Sequence, residues 1–181
     1  MKLFFASDLH GSFHGAKKMA LAYEKENADK LILLGDLLYH GPRNELPKKY
    51  DPKAVAALLN EMKQEILCVR GNCDCEVDQM LLEFPILSDY TLLFADGRTM
   101  FATHGHKFSA SALPQLNDGD VFLQGHTHIP CACFSNGIYL LNPGSVSLPK
   151  ENYKRSYLVY ETGVFTIKDF KGNILAELAL A

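Results

Sequence analysis

Residues 1–11, Met-Lys-Leu-Phe-Phe-Ala-Ser-Asp8-Leu-His10-Gly11, run from an apolar stretch straight into two metal-seeking side chains. An apolar run of about four to eight residues closed by glycine and polar groups reads as a buried strand entering a loop. The pattern recurs in KLILLG (30–35) before Asp36, EILCVRG (65–71) before Asn72-Cys73-Asp74, TMFATHG (99–105) with His104 and His106, and VFLQGH (121–126) before Thr127-His128. If these runs pair in one or two sheets, their polar tips meet at the carboxyl edge, where open α/β sheets place ligands.

The first half reads as βαβαβ. GSFHGAKKMALAYEKENADK sets Ala16, Met19, Ala20 and Tyr23 on one helical face. DPKAVAALLNEMKQEI does the same with Val55, Leu58, Leu59 and Met62, and Pro52 suits the first helical position. From Thr91 onward, short apolar runs are separated by the turn signals ADGR, NDGD, SNG and ETG, so the second half is expected to be mostly β. Residues 156–170 read as a hairpin around Glu161-Thr162-Gly163, and NILAELAL as a last strand or short helix. Residues 39–53 form a long polar loop after Gly35-Asp36, a place where function concentrates.

The 181 residues, 48% apolar and 22% charged, are those of an ordinary globular chain, read as a single domain over 1–181. Asp8 and His10 interrupt the opening apolar stretch before it reaches signal-peptide length, so the expectation is a soluble, cytoplasmic protein with no membrane association. A net charge of −3 offers no field for a long polyanion, which favours a small phosphorylated substrate over long nucleic acid. Five cysteines, arranged as Cys68, Cys73-x-Cys75 and Cys131-x-Cys133, make a poor disulfide framework. Two C-x-C pairs sharing one zinc would depart from the usual wider spacing. Reduced thiols are expected.

Side chains two apart on an extended strand point the same way, which would let Asp8 and His10, His104 and His106, or His126 and His128 grip one ion. Carboxylate, imidazole and amide donors suit Mn, Fe, Zn or another first-row divalent ion. Asp8, His10, Asp36, Asn72, His104, His126 and His128 exceed what one ion needs, and two ions sharing a carboxylate would use all of them. Such a pair acidifies a water, orients a phosphate and neutralises both attacking and leaving oxygens.

The ordered set D-x-H, G-D, G-N, T-H-G-H and G-H-T-H resembles the calcineurin-like metallophosphoesterases over nearly the whole chain. SDLHGS, GDLLYHGPRN, RGNCDCEVDQM, GHTHIP and NPGSVSLPK are similar to the small bacterial YfcE-type phosphodiesterases within that superfamily. The resemblance implies an α/β (α+β) fold, a four-layer αββα sandwich of two mixed sheets flanked by helices. It implies two divalent metals, Mn²⁺ foremost with Fe, Zn, Ni or Co as alternatives. Asp8, His10, Asp36 and His128 would hold one, and Asp36, Asn72, His104 and His126 the other, with Asp36 bridging. It further implies phosphodiester hydrolysis by direct in-line attack of a metal-bridging hydroxide.

Many members carry His after the motif Asn, where this chain has Cys73, as the YfcE-type subgroup does. That leaves the general acid open among Cys73, His106 and a metal-bound water. His40, Arg43, Asn44 and His106 are candidate substrate contacts, Arg43 because a guanidinium grips phosphate oxygens in pairs. Asp74 is expected to orient a ligand, Arg70 to pair with an acid, and Asn142-Pro143-Gly144-Ser145 to be a turn whose family counterpart approaches the site. The alternatives are a nuclease or nucleotide phosphatase of the same superfamily, or a Vps29-like non-catalytic scaffold, which would be free to lose ligands. Exposed strand edges near the C-terminus are compatible with a homo-oligomer.

Overall fold

The computed structural model describes residues 1–181. Strands β1 (Lys2–Ala6), β2 (Lys30–Leu33) and β3 (Ile66–Cys68) alternate with helices α1 (Phe13–Glu26) and α2 (Pro52–Glu61). A short helix α3 (Glu76–Gln79) leads to β4 (Tyr90–Ala95), β5 (Arg98–Thr103), β6 (Val121–Leu123), β7 (Cys131–Ser135), β8 (Ile138–Asn142), β9 (Ser156–Glu161), β10 (Val164–Asp169) and β11 (Ile174–Ala179). They form two sheets, ordered β11-β10-β9-β1-β2-β3 and β4-β5-β6-β8-β7. Both are mixed: β1, β2 and β3 run parallel in one, β5, β6 and β8 in the other, with antiparallel neighbours outside them.

The continuous apolar runs arise because strands covered on both faces need no polar side. Alternate residues of β1 and β2 serve two cores. Phe4, Ala6, Leu31 and Leu33 pack beneath the helices with Met19, Val55 and Leu59. Leu3, Phe5, Ile32 and Leu34 face the other sheet's Met100, Ala102, Val121, Leu123 and Leu141. On the outer face of the second sheet, Phe101, Phe122 and Ile138 are covered by Phe108 and Leu116 from the 104–120 segment, so a loop forms the layer on that side.

Helix boundaries follow their caps. The Ser12 side chain accepts from Gly15 N at the start of α1, and Asn27 ends it in the left-handed region. Asp51 accepts from Ala54 N ahead of Pro52 in α2. The C-terminal residues form the β9–β10 hairpin and a final strand, β11. No helix is long and apolar enough to cross a membrane.

Candidate metal centre

The loops after β1, β2, β3, β5 and β6 bring their polar tips to one edge of the two sheets. The expectation of strand-like spacing within each pair is corrected here: Asp8, His10, Asp36, His126 and His128 lie beyond the strand ends, with φ of 60°, 48°, 57°, 65° and 61°. Non-glycine residues reach this left-handed region at a cost that surrounding structure must offset, and such residues cluster at functional sites. Strand alternation therefore does not aim these side chains; tight turns do. Between the turns there is no room for a β-carbon: at Gly71 it would collide with Asp36, and at Gly125 with Ser7.

Three histidines are fixed by backbone carbonyls. His10 Nδ1 meets Tyr39 O at 2.9 Å, His104 Nδ1 meets Leu34 O at 2.6 Å, and His128 Nδ1 meets Leu148 O at 2.6 Å. Each Nδ1–H donates outward, which leaves Nε2 facing inward, where the ring offers a lone pair to a metal once it is neutral.

Those Nε2 atoms converge on other acceptors. His128 Nε2 lies 3.2 Å from Asp8 Oδ1, and His10 Nε2 lies 3.8 Å from it and 3.3 Å from His128 Nε2. Asp8 is fully buried; its Oδ2 accepts from His126 N at 3.1 Å, while its Oδ1 has no hydrogen-bond partner. Beside this group, His104 Nε2 is 3.0 Å from Asn72 Oδ1 and 3.2 Å from His126 Nδ1. Asp36 Oδ2 stands between the two groups, 3.6 Å from His10 Nε2 and 3.4 Å from His104 Nε2. Nitrogen and oxygen acceptors buried face to face are costly unless a proton or a metal cation neutralises them. The donor set thus fits a divalent metal, with Asp8, His10 and His128 in one cluster and Asp8, Asp36 and His104 in another.

The electrostatics agree. Burial opposes charging of His104, but contact with Asp36 and the carboxylates of Asp8 and Asp36 outweigh it and push the ring up to about 9. Asp8 is held well below the ordinary carboxylate range, against its burial, by His128 and the neighbouring imidazoles. Burial lowers His10 and His126. Burial and then Asp36 push the Cys73 thiol up to about 12.

Asp74, buried at the tip of the β3 loop, accepts from Asp36 N (2.8 Å), Leu37 N (2.8 Å) and Gly71 N (2.7 Å), tying the two loops together. Asp36 Oδ1 accepts from Cys73 N at 2.8 Å. Arg70 meets Asp74 O at 3.1 Å and Glu76 at 4.0 Å, the partner role expected of it.

A cavity of about 500 Å³ opens over the centre, lined by His10, Asp36, Asn72, Cys73, His126 and His128 and by Arg43, Asn44, Thr127 and Lys150. His40 and His106 are outside that lining. The His40 ring packs edge-on between Tyr39 and Tyr50, at 4.9 and 5.2 Å. His106 sits behind His104, with ring centres 5.4 Å apart, and its buried Nδ1 has no partner. The two C-x-C pairs do not come together: Cys73 joins His10 and Asp36, whereas Cys131 and Cys133 are on β7.

Two features escaped sequence reasoning. Lys150 lines the cavity, and its backbone N bonds His128 O at 3.4 Å. Ser145 and Ser147 both donate to Asp8 O at 2.9 Å, and Asn142 donates to Gly125 O and Thr127 Oγ1. The 142–148 turn thus clasps the loops that carry Asp8 and His126; the sequence had read it first as a turn whose family counterpart approaches the site, with no role for the serines.

The calcineurin-like phosphoesterase superfamily domain matches residues 1–163. The phosphodiesterase YfcE of Escherichia coli is 44% identical over 181 residues, covering 99% of this chain and 98% of that protein. A solved structure of E. coli YfcE, described as a phosphoesterase, superposes with a TM-score of 0.98 at 43% identity, covering 100% of both chains. Vps29 of Entamoeba histolytica, solved with Zn²⁺, shares the fold at TM-score 0.63 and 16% identity, covering 100% of both chains.

Proposed function

The chain belongs to the calcineurin-like phosphoesterase superfamily, and from that premise we propose that it is a two-metal phosphodiesterase acting on small phosphodiesters. The observation that carries this reading is the position of Asp36, whose Oδ2 lies between His10 Nε2 and His104 Nε2 while its Oδ1 is held by Cys73 N. Asp8, His10, Asp36 and His128 would hold one ion, and Asp36, Asn72, His104 and His126 the other, with Mn²⁺ the favoured metal. When bound, the pair supplies Lewis acidity to the phosphoryl oxygens and lowers the pKa of water.

The chain's own groups do the rest. Arg43 and Lys150 both line the cavity, where their charge draws a phosphodiester in and orients its non-bridging oxygens. Asn44 and Thr127 add neutral polar contacts. Cys73 holds its proton near neutrality and is a weaker donor than imidazolium, which favours leaving groups that depart with little protonation. Asp74 fixes the backbone of Asp36, and Ser145 and Ser147 fix that of Asp8. Ligands spread from Asp8 to His128, clasped by the 142–148 turn, support reading residues 1–181 as one catalytic domain. A scaffold role is disfavoured because all seven donors converge.

Hydrolysis of bis-p-nitrophenyl phosphate and of p-nitrophenyl phosphate tests the reading. Chelated protein should be inactive, Mn²⁺ should restore diester cleavage in preference to monoester cleavage, and Asp36→Ala should lower it by about 10²-fold or more. Monoester turnover far exceeding diester turnover would overturn the diesterase assignment.

A further inference from the structure

Away from the centre, two thiols stand together on the edge of the second sheet. Cys131 and Cys133 occupy alternate positions of β7, so both leave the same face, and their Sγ atoms are 3.6 Å apart. Ala132 between them packs into the inter-sheet core, which puts the thiols on the outer face. Cys131 is half-buried, with Leu140 O 3.9 Å from its Sγ, and Cys133 is exposed.

Two chemistries can join such a pair. A disulfide favours Cα atoms about 5.5–6 Å apart and reaches its limit near 6.8 Å. Alternate residues of a strand rising about 3.3–3.4 Å each are roughly 6.7 Å apart, at that limit. Pairing with β8 from Cys131 opposite Asn142 to Ser135 opposite Ile138 holds β7 in this extension. A shared metal asks for less: two thiolates about 2.3 Å from a tetrahedral ion are separated by roughly 3.8 Å. The observed 3.6 Å needs only a small rotation about the Cα–Cβ bonds.

We propose that Cys131 and Cys133 form a bidentate site for a thiophilic closed-shell cation of the Zn²⁺ or Cd²⁺ class, distinct from the nitrogen and oxygen centre. On binding, two S–H bonds break, two metal–sulfur bonds form and two protons leave to solvent. The exposed side of Cys133 leaves the remaining coordination positions to water. Because thiolates select softer ions than carboxylate and imidazole do, the molecule sorts metals between its two sites. Burial and the neighbouring Cys133 push the Cys131 thiol up to about 11, so that thiol must lose its proton on binding and affinity rises with pH.

The test is a Cd²⁺ titration of the reduced protein with its centre first filled by Mn²⁺, following the ultraviolet thiolate-to-cadmium charge-transfer band. One Cd²⁺ per chain should saturate the band. Cys133→Ser, at an exposed position that keeps the fold, should cut its intensity by half or more and weaken binding roughly tenfold, and Cys131→Ser should match it. Diester hydrolysis with Mn²⁺ should be unchanged in both variants. No band in the native protein, or a band undiminished in either variant, would overturn the assignment.

Discussion

Asp74 keeps a buried carboxylate among three backbone amides. Burial raises its pKa to about 6 despite those bonds. Asparagine would turn an NH₂ toward amide donors that need an acceptor, loosening the Asp36 turn without touching the ligand set. Asp74→Asn is expected to weaken Mn²⁺ binding or kcat/KM by about 10–100-fold, measured by calorimetric titration and steady-state kinetics. A variant indistinguishable in both would show that the Asp36 turn holds itself. At this scale, the candidate ligand residues stood out in the sequence because each stands at the end of an apolar run. The reason they converge was not. Left-handed φ at Asp8, His10 and His128 follows from tertiary closure, and the serines that hold Asp8 arrive from 137 and 139 positions away.

Glu26 shows how one helix end is locked to its sheet. Its carboxylate receives Lys168 Nζ at 2.8 and 3.0 Å, the Tyr157 hydroxyl at 2.9 Å and Lys2 Nζ at 3.2 Å, joining α1 to β10, β9 and β1. Burial opposes its charge, but these partners outweigh burial and hold its pKa below 4.5. A depressed acid contributes stability above its unfolded pKa and loses it as pH falls through the folded value. Glu26→Gln should therefore cost about 1–2 kcal/mol at pH 7, after allowance for solvent screening, with the gap closing below about pH 4. Urea unfolding at both pH values measures this, and a gap that persists in acid would contradict it. The strands and both long helices were legible from periodicity and from Pro52 near the start of the second, whereas the caps at Ser12 and Asp51 emerged only with the structure. The division into two sheets was not, since parallel runs such as KLFFA read alike in one sheet or two.

Across the whole molecule, the candidate centre lies on an edge shared by the two sheets, with proposed ligands from loops as separate in sequence as Asp8 and His128. Metal bound there ties the sheets together and stabilises the native state by mass action, about 2.7 kcal/mol for a site filled at 100 times its Kd. Removal of metal by chelation should lower the Tm by on the order of 5–10 °C, read by scanning calorimetry. An unchanged Tm would mean that the acceptors are satisfied without a cation. The resemblance read from five ordered motifs carried the family and its fold. It could not show which loop residues line the cavity, because His40 is turned away by its packing on Tyr39 and Tyr50, whereas Lys150, whose backbone N bonds His128 O, lines it.

Asp36 is proposed to bridge two ions, and electron paramagnetic resonance of the Mn²⁺-loaded protein, with metal content measured on the same sample, tests this most directly. Two Mn²⁺ per chain with an exchange-coupled spectrum, the coupling lost in Asp36→Ala, is the expected result. A single ion per chain, or two whose spectra are those of isolated Mn²⁺, would contradict it.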